Sequence, residues 1–345
     1  MNLDIALILT QDGITSAAIY AMLALALILI FTVTRVIYVP QGEFISFGAL
    51  TLAAVQQGLF PKSIYVLAAL GVLGAIYEVV SALRERVRPN FAMTACYLLY
   101  PLLLGMIVRM LTLSELNVYV QLGITALIVI PMGSMIYRIV FQPIAGSRVL
   151  VLLISAVATQ LVLVGLGLLT FGPEGSRTTP LGEGAVQIGG HSVTVQSLIS
   201  IGVCTSLIVA FAWALKATIY GKALRATAVN RTGARIVGIS PSMAGHLCFL
   251  VAATVGVIAG ALIAPVSTMY YDSGFLIGLK GFVAAIFGGL VNYPIAALGA
   301  IALGLTESFV SFWTSAFKEV VIFGLLIPVL LVRSLMRGNT VEDHE

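Results

Sequence analysis

Three ionisable residues, Glu43, Lys280 and Glu307, lie within otherwise apolar stretches of the sequence. A charge at membrane depth is costly unless it is paired or lines a water-filled cavity. These side chains could therefore line a translocation path or gate and bind the ammonium or carboxylate group of a zwitterionic solute. They could also form structural ion pairs or cap broken helices, and this second interpretation is favoured for each residue taken singly.

Two of these residues follow sequence that interrupts a helix. Pro40 removes a backbone donor and Gly42 loosens the chain just before Glu43. A second stretch containing proline and glycine ends at Gly274, shortly before Lys280. Paired interruptions in corresponding places of two halves indicate a binding site or pathway built from broken helices. The candidate translocation residues are Gln41, Gly42, Glu43, Gly274, Lys280 and Glu307.

A polar, basic stretch, residues 221–239, separates two long apolar runs and contains cations but no acid. Its small residues recur at helical spacing, which predicts a short helix that another protein can approach closely. Its charges would hold it at the membrane surface. The alternative is an ordinary cytoplasmic loop whose cations only fix the topology. The residues expected to contact a partner are Gly221, Lys222, Arg225, Ala226, Arg231, Arg235 and Gly238.

The composition, 60% hydrophobic and 9% charged with a mean hydropathy of +1.09, is that of a membrane protein. Recurring apolar runs of about 20 residues predict an all-α, polytopic fold with about 9–11 membrane segments. Segments 36–58 and 275–291 contain helix breakers and are predicted to be broken or re-entrant, in halves that resemble an inverted repeat. The eleven candidate segments are 13–34, 36–58, 63–82, 92–111, 118–140, 148–170, 195–215, 243–266, 275–291, 294–313 and 317–335.

The distribution of basic residues predicts the topology. With the N-terminus outside and the C-terminus cytoplasmic, thirteen of the 18 Lys and Arg residues lie on the inner side and four on the outer side. This arrangement places the 221–239 stretch in the cytoplasm. A cytoplasmic partner could therefore reach it.

Residues 221–239 resemble the cytoplasmic coupling loop of ABC importer permeases, most closely the branched-chain amino acid transport permease family. That family's pattern is approximately G-x-A-x-R-A, followed by A-x-x-x-G-I, and Gly221 to Ile239 fit it. Residues 274–290 resemble a second family pattern around G-L-K, and residues 304–307 match its G-L-x-E. Residues 41–49 resemble a third, H-G-E-F-like stretch, with Gln41 in place of the usual His. The resemblance covers most of the chain.

The resemblance implies a permease subunit of a bacterial inner-membrane ABC importer that works by ATP-driven alternating access. Its substrates would be branched-chain or other hydrophobic amino acids, or a related solute such as urea, an amide or an organic acid. The implied partners are cytoplasmic ABC ATPase subunits, a second permease subunit (a paralogue or the same chain), a periplasmic solute-binding protein and membrane lipid. No Walker A motif is present, so ATP would be used by the partner subunits and this chain would need no cofactor.

Other functions remain open at this point. A stand-alone ion-coupled secondary transporter or channel could use Glu43 and Glu307, but it would not need the basic 221–239 stretch. A membrane scaffold would carry no solute. The sequence contains no recognisable catalytic constellation or metal motif and gives no indication of nucleic-acid binding.

The chain is interpreted as a single permease domain, residues 1–345. Residues 1–170 would form the first half, with an extra helix pair inserted near 63–117. Residues 171–196 would be an external loop with a small β-hairpin around Gly189 and Gly190. Residues 197–345 would form the second half, which contains the coupling helix 221–239. The cysteines are expected to be small buried hydrophobes rather than ligands.

Overall fold

The computed structural model describes residues 3–85, 91–188 and 191–331. These residues form thirteen α-helices and one β-hairpin, so the predicted all-α, polytopic fold is confirmed. The helices are α1 Leu3–Thr34, α2 Glu43–Gln56, α3 Ser63–Glu85, α4 Phe91–Met110, α5 Val118–Ile136, α6 Val149–Phe171, α7 Val195–Ala217, α8 Ile219–Val229, α9 Arg231–Ile236, α10 Pro241–Ile263, α11 Ser273–Phe287, α12 Tyr293–Trp313 and α13 Lys318–Gly324. The strands are β1 Ala185–Ile188 and β2 His191–Thr194.

Within the described ranges, eight helices are long and apolar enough to cross a membrane, fewer than the eleven segments predicted. Segment 36–58 forms a 3₁₀ turn, Val39–Gly42, followed by α2, which has 14 residues. Segment 275–291 forms α11, which has 15 residues. Helices of these lengths extend about 21–23 Å, short of the roughly 30 Å hydrocarbon core. Segment 317–335 lies partly outside the described residues.

The chain forms two compact units. The first unit comprises Met1–Ile28, Gly182–Phe211 and Leu279–Glu345, and the second comprises Leu29–Leu181 and Ala212–Gly278. The predicted division at residues 170 and 197 follows chain order and stays a prediction.

In the second unit, α2 and α10 pack along a row of glycines. A Cβ atom at Gly48 would lie 2.9 Å from the Cα atom of Val257, and one at Gly256 would fall on the side chain of Phe44. A Cβ atom at Gly260 would reach the carbonyl oxygen of Ile45. The glycines let the two helix backbones approach closely, as expected of a helix-packing seam.

An aromatic cluster packs beside this seam. The Tyr38 and Phe249 rings lie 4.6 Å apart between centroids, and the Tyr137 and Phe249 rings lie 5.0 Å apart. Phe44 and Phe141 complete the cluster, and all five side chains are almost fully buried. This packing fixes the start of α2 against α10 and the π-helical turn Tyr137–Phe141 after α5.

Helices α3 and α4 lie in the range 63–117, and that they are an inserted pair stays a prediction; residues 86–90 lie outside the described ranges. A Cβ atom at Gly71 would meet the carbonyl oxygen of Tyr97, so the two helices pack closely. The pair is attached to the end of α5 by an ion pair, in which Arg138 Nη2 lies 2.5 Å from Glu78 Oε2. The Arg138 guanidinium also lies 5.4 Å from the centroid of the Tyr77 ring.

The first unit contains the predicted hairpin, which is confirmed. β1 and β2 pair antiparallel, with Ala185 opposite Thr194 and Val186 opposite Val193. The turn residues 189 and 190 lie outside the described residues. The expectation for the cysteines is correct for Cys204 and Cys248, which are buried, and wrong for Cys96, which is exposed on the surface of α4.

Candidate functional site

Residues 41–43 lie where the 3₁₀ turn passes into α2. Gln41 and Glu43 are both 0% exposed. The Gln41 side chain donates from Nε2 to the carbonyl oxygen of Ala252, over 2.9 Å. The Gln160 side chain, in the middle of α6, donates from Nε2 to Glu43 Oε1, over 2.5 Å. The 3₁₀ turn and the start of α2 are thus attached to α10 and α6 through buried polar side chains.

Three glycines form a backbone-to-backbone contact beside Glu43, which we call the glycine crossing: Gly42, Gly274 and Gly278. A Cβ atom on Gly42 would overlap the Gly274 carbonyl group, and one on Gly274 would overlap the Gly42 carbonyl oxygen. A Cβ atom on Gly278 would lie 2.6 Å from the Gly42 Cα atom. The Ser46 hydroxyl accepts a hydrogen bond from the Gly274 amide, over 2.7 Å. Only glycine allows so close an approach.

Several acceptor oxygens near the crossing are buried and have no hydrogen-bond partner among the described residues: Gln41 Oε1, Glu43 Oε2 and Gln160 Oε1. A buried carboxylate oxygen without a donor is costly, and such groups in a native protein call for an explanation. A cationic or hydrogen-bond-donating group would satisfy them. The chemistry available here is therefore recognition of a donor such as an ammonium group.

Lys280 and Glu307 form a second cluster, which lies within the first unit. Lys280 Nζ lies 2.5 Å from Glu307 Oε1 and 3.2 Å from Glu319 Oε1. The Tyr20 hydroxyl donates to the other oxygen of Glu307, over 2.5 Å. Lys280 is only 5% exposed, and a buried charge is costly unless it is paired. Here two carboxylates compensate the charge of the ammonium group. This geometry supports the structural-ion-pair interpretation for Lys280 and Glu307.

The basic stretch 221–239 forms two short helices rather than the single helix predicted. α8 ends at Val229, and α9 begins at Arg231. Asn230 between them is extended, and its Oδ1 atom accepts from the amide of Gly233, over 2.9 Å. The polar Asn side chain competes with the helix backbone and caps a new helix instead, which explains the break.

Both ends of this helix pair are fixed. The Thr218 hydroxyl caps α8 by accepting from the Gly221 amide, over 2.9 Å. A Cβ atom at Gly221 would meet the carbonyl oxygen of Ala214, so α8 lies directly against the end of α7. Gly238 ends α9 with φ at +84°, a conformation that favours glycine at helix C-termini.

The cations of the helix pair differ in their surroundings. Arg231 is half-buried; its Nε atom donates to the Val33 carbonyl oxygen and its Nη1 atom to the Ala145 carbonyl oxygen, each over 3.1 Å. Lys222, Arg225 and Arg235 are exposed. Among them stand exposed apolar side chains, with Val229 86% and Ile236 81% exposed. The exposed surface of the pair therefore combines positive charge, which no described residue compensates by an ion pair, with apolar area. Arg231 attaches the pair to the rest of the second unit.

The structure thus brings the predicted residues together in groups. Gln41, Gly42, Glu43 and Gly274 meet in the second unit, and Lys280 pairs with Glu307 in the first. The predicted contact residues 221–238 lie on the α8–α9 pair, with Gly221 buried and Ala226 half-buried. Whether the first two groups line a path is not tested by these contacts and stays a prediction.

Sequence reasoning missed four participants: Tyr20, Gln160, Asn230 and Glu319. Gln160 had a visible signal, because it is a lone amide in a 23-residue apolar helix. Asn230 also had one, since Asn is among the residues preferred at a helix N-cap. Tyr20 and Glu319 had none that identified Glu307 or Lys280 as their partner.

The eight membrane-length helices and the buried polar groups define a multi-pass α-helical membrane protein. The chain belongs to the family described as the branched-chain amino acid transport system permease component, whose family model matches residues 87–330. The predicted resemblance is therefore confirmed. The matched range includes the α8–α9 pair, Gly274, Lys280 and Glu307, whereas residues 41–43 precede it.

Relatives with this description align along most of the chain. The high-affinity branched-chain amino acid transport system permease protein LivH of Escherichia coli (strain K12) is 31% identical over 293 residues, 80% of this chain and 91% of that protein. LivH of Salmonella typhimurium is similar to the same extent. The permease protein BraD of Pseudomonas aeruginosa is 27% identical over 295 residues, 82% of this chain and 94% of that protein.

A likeness to a solved structure is much weaker. The structure of PsaBC from Streptococcus pneumoniae in complex with Fab matches with a TM-score of 0.36 and 12% identity, over 93% of this chain and 89% of that chain. A likeness at this level supports no conclusion about fold or function.

Proposed function

We propose that the chain is the membrane-spanning permease subunit of an ABC importer in a bacterial inner membrane. It would move branched-chain or other hydrophobic amino acids, or a related small solute, by ATP-driven alternating access. The family and the names of the relatives support the transport role and the substrate class. The observation that carries the importer role is the surface of the α8–α9 pair.

That surface has the features of a docking site for a cytoplasmic ATPase subunit. Lys222, Arg225 and Arg235 are exposed with no acid in the stretch, so they would attract an acidic partner surface. Val229 and Ile236 supply apolar area that would be buried on docking. The caps at Thr218 and Asn230 hold the pair in shape. A preorganised surface loses little conformational entropy on binding.

Arg231 provides the proposed mechanical link. It lies on the same short helix as the docking residue Arg235, yet it holds the carbonyl oxygens of Val33 and Ala145. Val33 stands at the end of α1, and Ala145 stands in the loop before α6. A displacement of the α8–α9 pair by ATPase closure would therefore be transmitted to the ends of two membrane-length helices.

The proposed substrate contact lies near the glycine crossing. Glu43 Oε2 and Gln41 Oε1 are buried acceptors without a donor among the described residues, and an amino acid's ammonium group would satisfy them. The proposed partners beyond the ATPase subunits are a second permease subunit, a paralogue or the same chain, and an external solute-binding protein.

The test is a mild-detergent purification of the tagged chain from its native membrane, with mass spectrometry of what accompanies it. Charge reversal by Arg225→Glu should weaken ATPase association and abolish uptake. Lys62→Glu is the matched control, because Lys62 is also exposed but lies outside the α8–α9 pair. Unchanged ATPase binding and uptake in the Arg225 variant would contradict the importer function. Ion-driven uptake by the reconstituted chain alone would favour the secondary transporter instead.

A further inference from the structure

A cavity of about 340 Å³ lies in the second unit and is lined by residues other than those of the glycine crossing. Its wall includes Arg231 and Arg235 from α9, Ser242 from the start of α10, and Tyr137 and Gln142 from the π-helical turn and the residue after it. The volume falls in the range of about 300–1,000 Å³ that small-molecule sites occupy.

The charged residues that line the cavity are both arginines, Arg231 and Arg235. The lining residues come from two stretches, residues 137–146 and 231–242, and neither stretch contains Asp or Glu. Arg231 uses Nε and Nη1 to hold carbonyl oxygens, which leaves Nη2 without a partner in the described part of the chain. Arg235 makes no side-chain hydrogen bond or ion pair with any described residue. Two guanidinium groups are thus available to an anion.

Two further features indicate the kind of anion. Ser242 lies in the first turn of α10, a 23-residue helix whose amino end carries partial positive charge. Pro241 has no amide hydrogen and the Met243 amide donates to Ser240 Oγ, so the Ser242 amide and hydroxyl are the donors that this helix end offers to a phosphate group. Gln142 contributes the opposite chemistry, because its Oε1 atom is buried without a hydrogen-bond partner among the described residues. A ligand that satisfies the whole site has a phosphate group and a hydroxyl group.

We propose that this cavity binds a phosphate ester that carries a hydroxyl group. The arginines and the α10 amino end would hold the phosphate, and Gln142 would accept from the hydroxyl. The ligand could be the glycerol headgroup of an anionic phospholipid or a soluble phosphate ester. Basic pockets between membrane helices are established sites for anionic headgroups in general. A bound ligand would lie directly beside Arg231, which attaches α9 to the carbonyl oxygens of Val33 and Ala145.

The test uses the full-length chain reconstituted into nanodiscs with equal phosphatidylglycerol and phosphatidylcholine, followed by extraction and native mass spectrometry. The wild-type chain should retain phosphatidylglycerol selectively. Arg235→Gln should lower that retention about tenfold, the effect of losing one charged hydrogen bond. Arg148→Gln is the matched control. Arg148 is an exposed arginine in the segment before α6, close in sequence to the lining residue Gly146, but it does not line the cavity itself. Ser242→Leu, which fills the cavity, gives an independent second variant.

A second arm separates the two sources. Glycerol 3-phosphate is titrated into the detergent-purified chain by calorimetry. Binding that Arg235→Gln abolishes, with no selective lipid retention, identifies a soluble ligand; selective lipid retention without such binding identifies a headgroup. If neither probe binds in a manner that depends on Arg235, the proposal is overturned. Both arms use the chain alone, so their outcome does not depend on the importer function.

Discussion

Arg231 and Val33, 198 residues apart in the sequence, are joined by a hydrogen bond of 3.1 Å from the Arg231 Nε atom to the Val33 carbonyl oxygen. The same guanidinium reaches the Ala145 carbonyl oxygen. Three segments of the second unit therefore meet at one side chain: the end of α1, the loop before α6, and α9.

The first prediction concerns this junction. Arg231→Lys keeps the charge but replaces a planar group with several donors by a single ammonium, which cannot reproduce the geometry of both carbonyl contacts. If ATPase movement passes through Arg231, uptake should fall about tenfold or more, the effect of about 1.4 kcal/mol. ATPase association should persist, because Lys222 and Arg225 remain exposed. Uptake into proteoliposomes and ATPase co-purification measure the two effects separately.

Arg148→Lys serves as the control for the Arg231 variant, because Arg148 is exposed and makes no contact with the Val33 carbonyl. Equal loss of uptake and ATPase association in Arg231→Lys would count against transmission through this side chain and would indicate a role in docking.

The second prediction concerns the glycine crossing. Gly42→Ala places a methyl group on the Gly274 carbonyl, and Gly274→Ala does the reverse. Overpacking of this kind costs about 1–3 kcal/mol or more, because the neighbour is backbone and cannot rotate away. Both variants should therefore lower the thermal stability of the detergent-purified protein. Gly123→Ala and Gly165→Ala are matched controls, since nothing lies within 4 Å of a Cβ atom there. Stability equal to that of the controls would contradict the close contact.

The third prediction concerns the Lys280 cluster. Lys280→Met leaves Glu307 and Glu319 facing each other without the ammonium that separates them. Removing one partner of a buried ion pair costs about 3–5 kcal/mol. The double variant Lys280→Met with Glu307→Gln removes both charges and should recover part of the lost stability. Thermal unfolding of the single and double variants measures the coupling. Additive losses would show that the two side chains do not interact as described.

The fourth prediction concerns Glu43. Glu43→Gln keeps an oxygen that can accept from Gln160 but removes the charge. If Glu43 contacts the substrate's ammonium group, uptake of a branched-chain amino acid should fall by more than about tenfold while thermal stability is kept or increased. Glu115→Gln, at an exposed carboxylate, is the control. A loss of stability with unchanged uptake would assign Glu43 a structural role.

The membrane-length helices were predictable from the sequence because each depends on its own local run of apolar residues. The α2 and α11 regions were recognisable as unusual because Pro40, Gly42 and Gly274 stand beside them. The β-hairpin was predictable from the pair of glycines at its turn. In each case the information lies within a few neighbouring residues.

The contacts of the candidate site were less predictable because they join distant parts of the chain. Tyr20 and Glu307 are 287 residues apart, and nothing in the sequence around either residue indicates that the other is its hydrogen-bond partner. The sequence marked Lys280 as a cation in need of a partner, but nothing in it indicated that Glu319 is a second carboxylate beside Lys280. The prediction of a single helix at 221–239 was wrong for a local reason. It relied on the helical spacing of the small residues and did not consider Asn230, which caps a second helix.

The glycine crossing has a consequence for how its role can be measured. Its three glycines meet through main-chain atoms and have no side chain that could be truncated; the side chain described at the crossing is that of Ser46, which accepts from the Gly274 amide. Alanine scanning normally measures what is lost when a side-chain contact is deleted. At Gly42, Gly274 and Gly278 it would instead measure the cost of adding a methyl group to the contact. A graded series of larger residues at these positions would therefore measure the clearance between the two backbones.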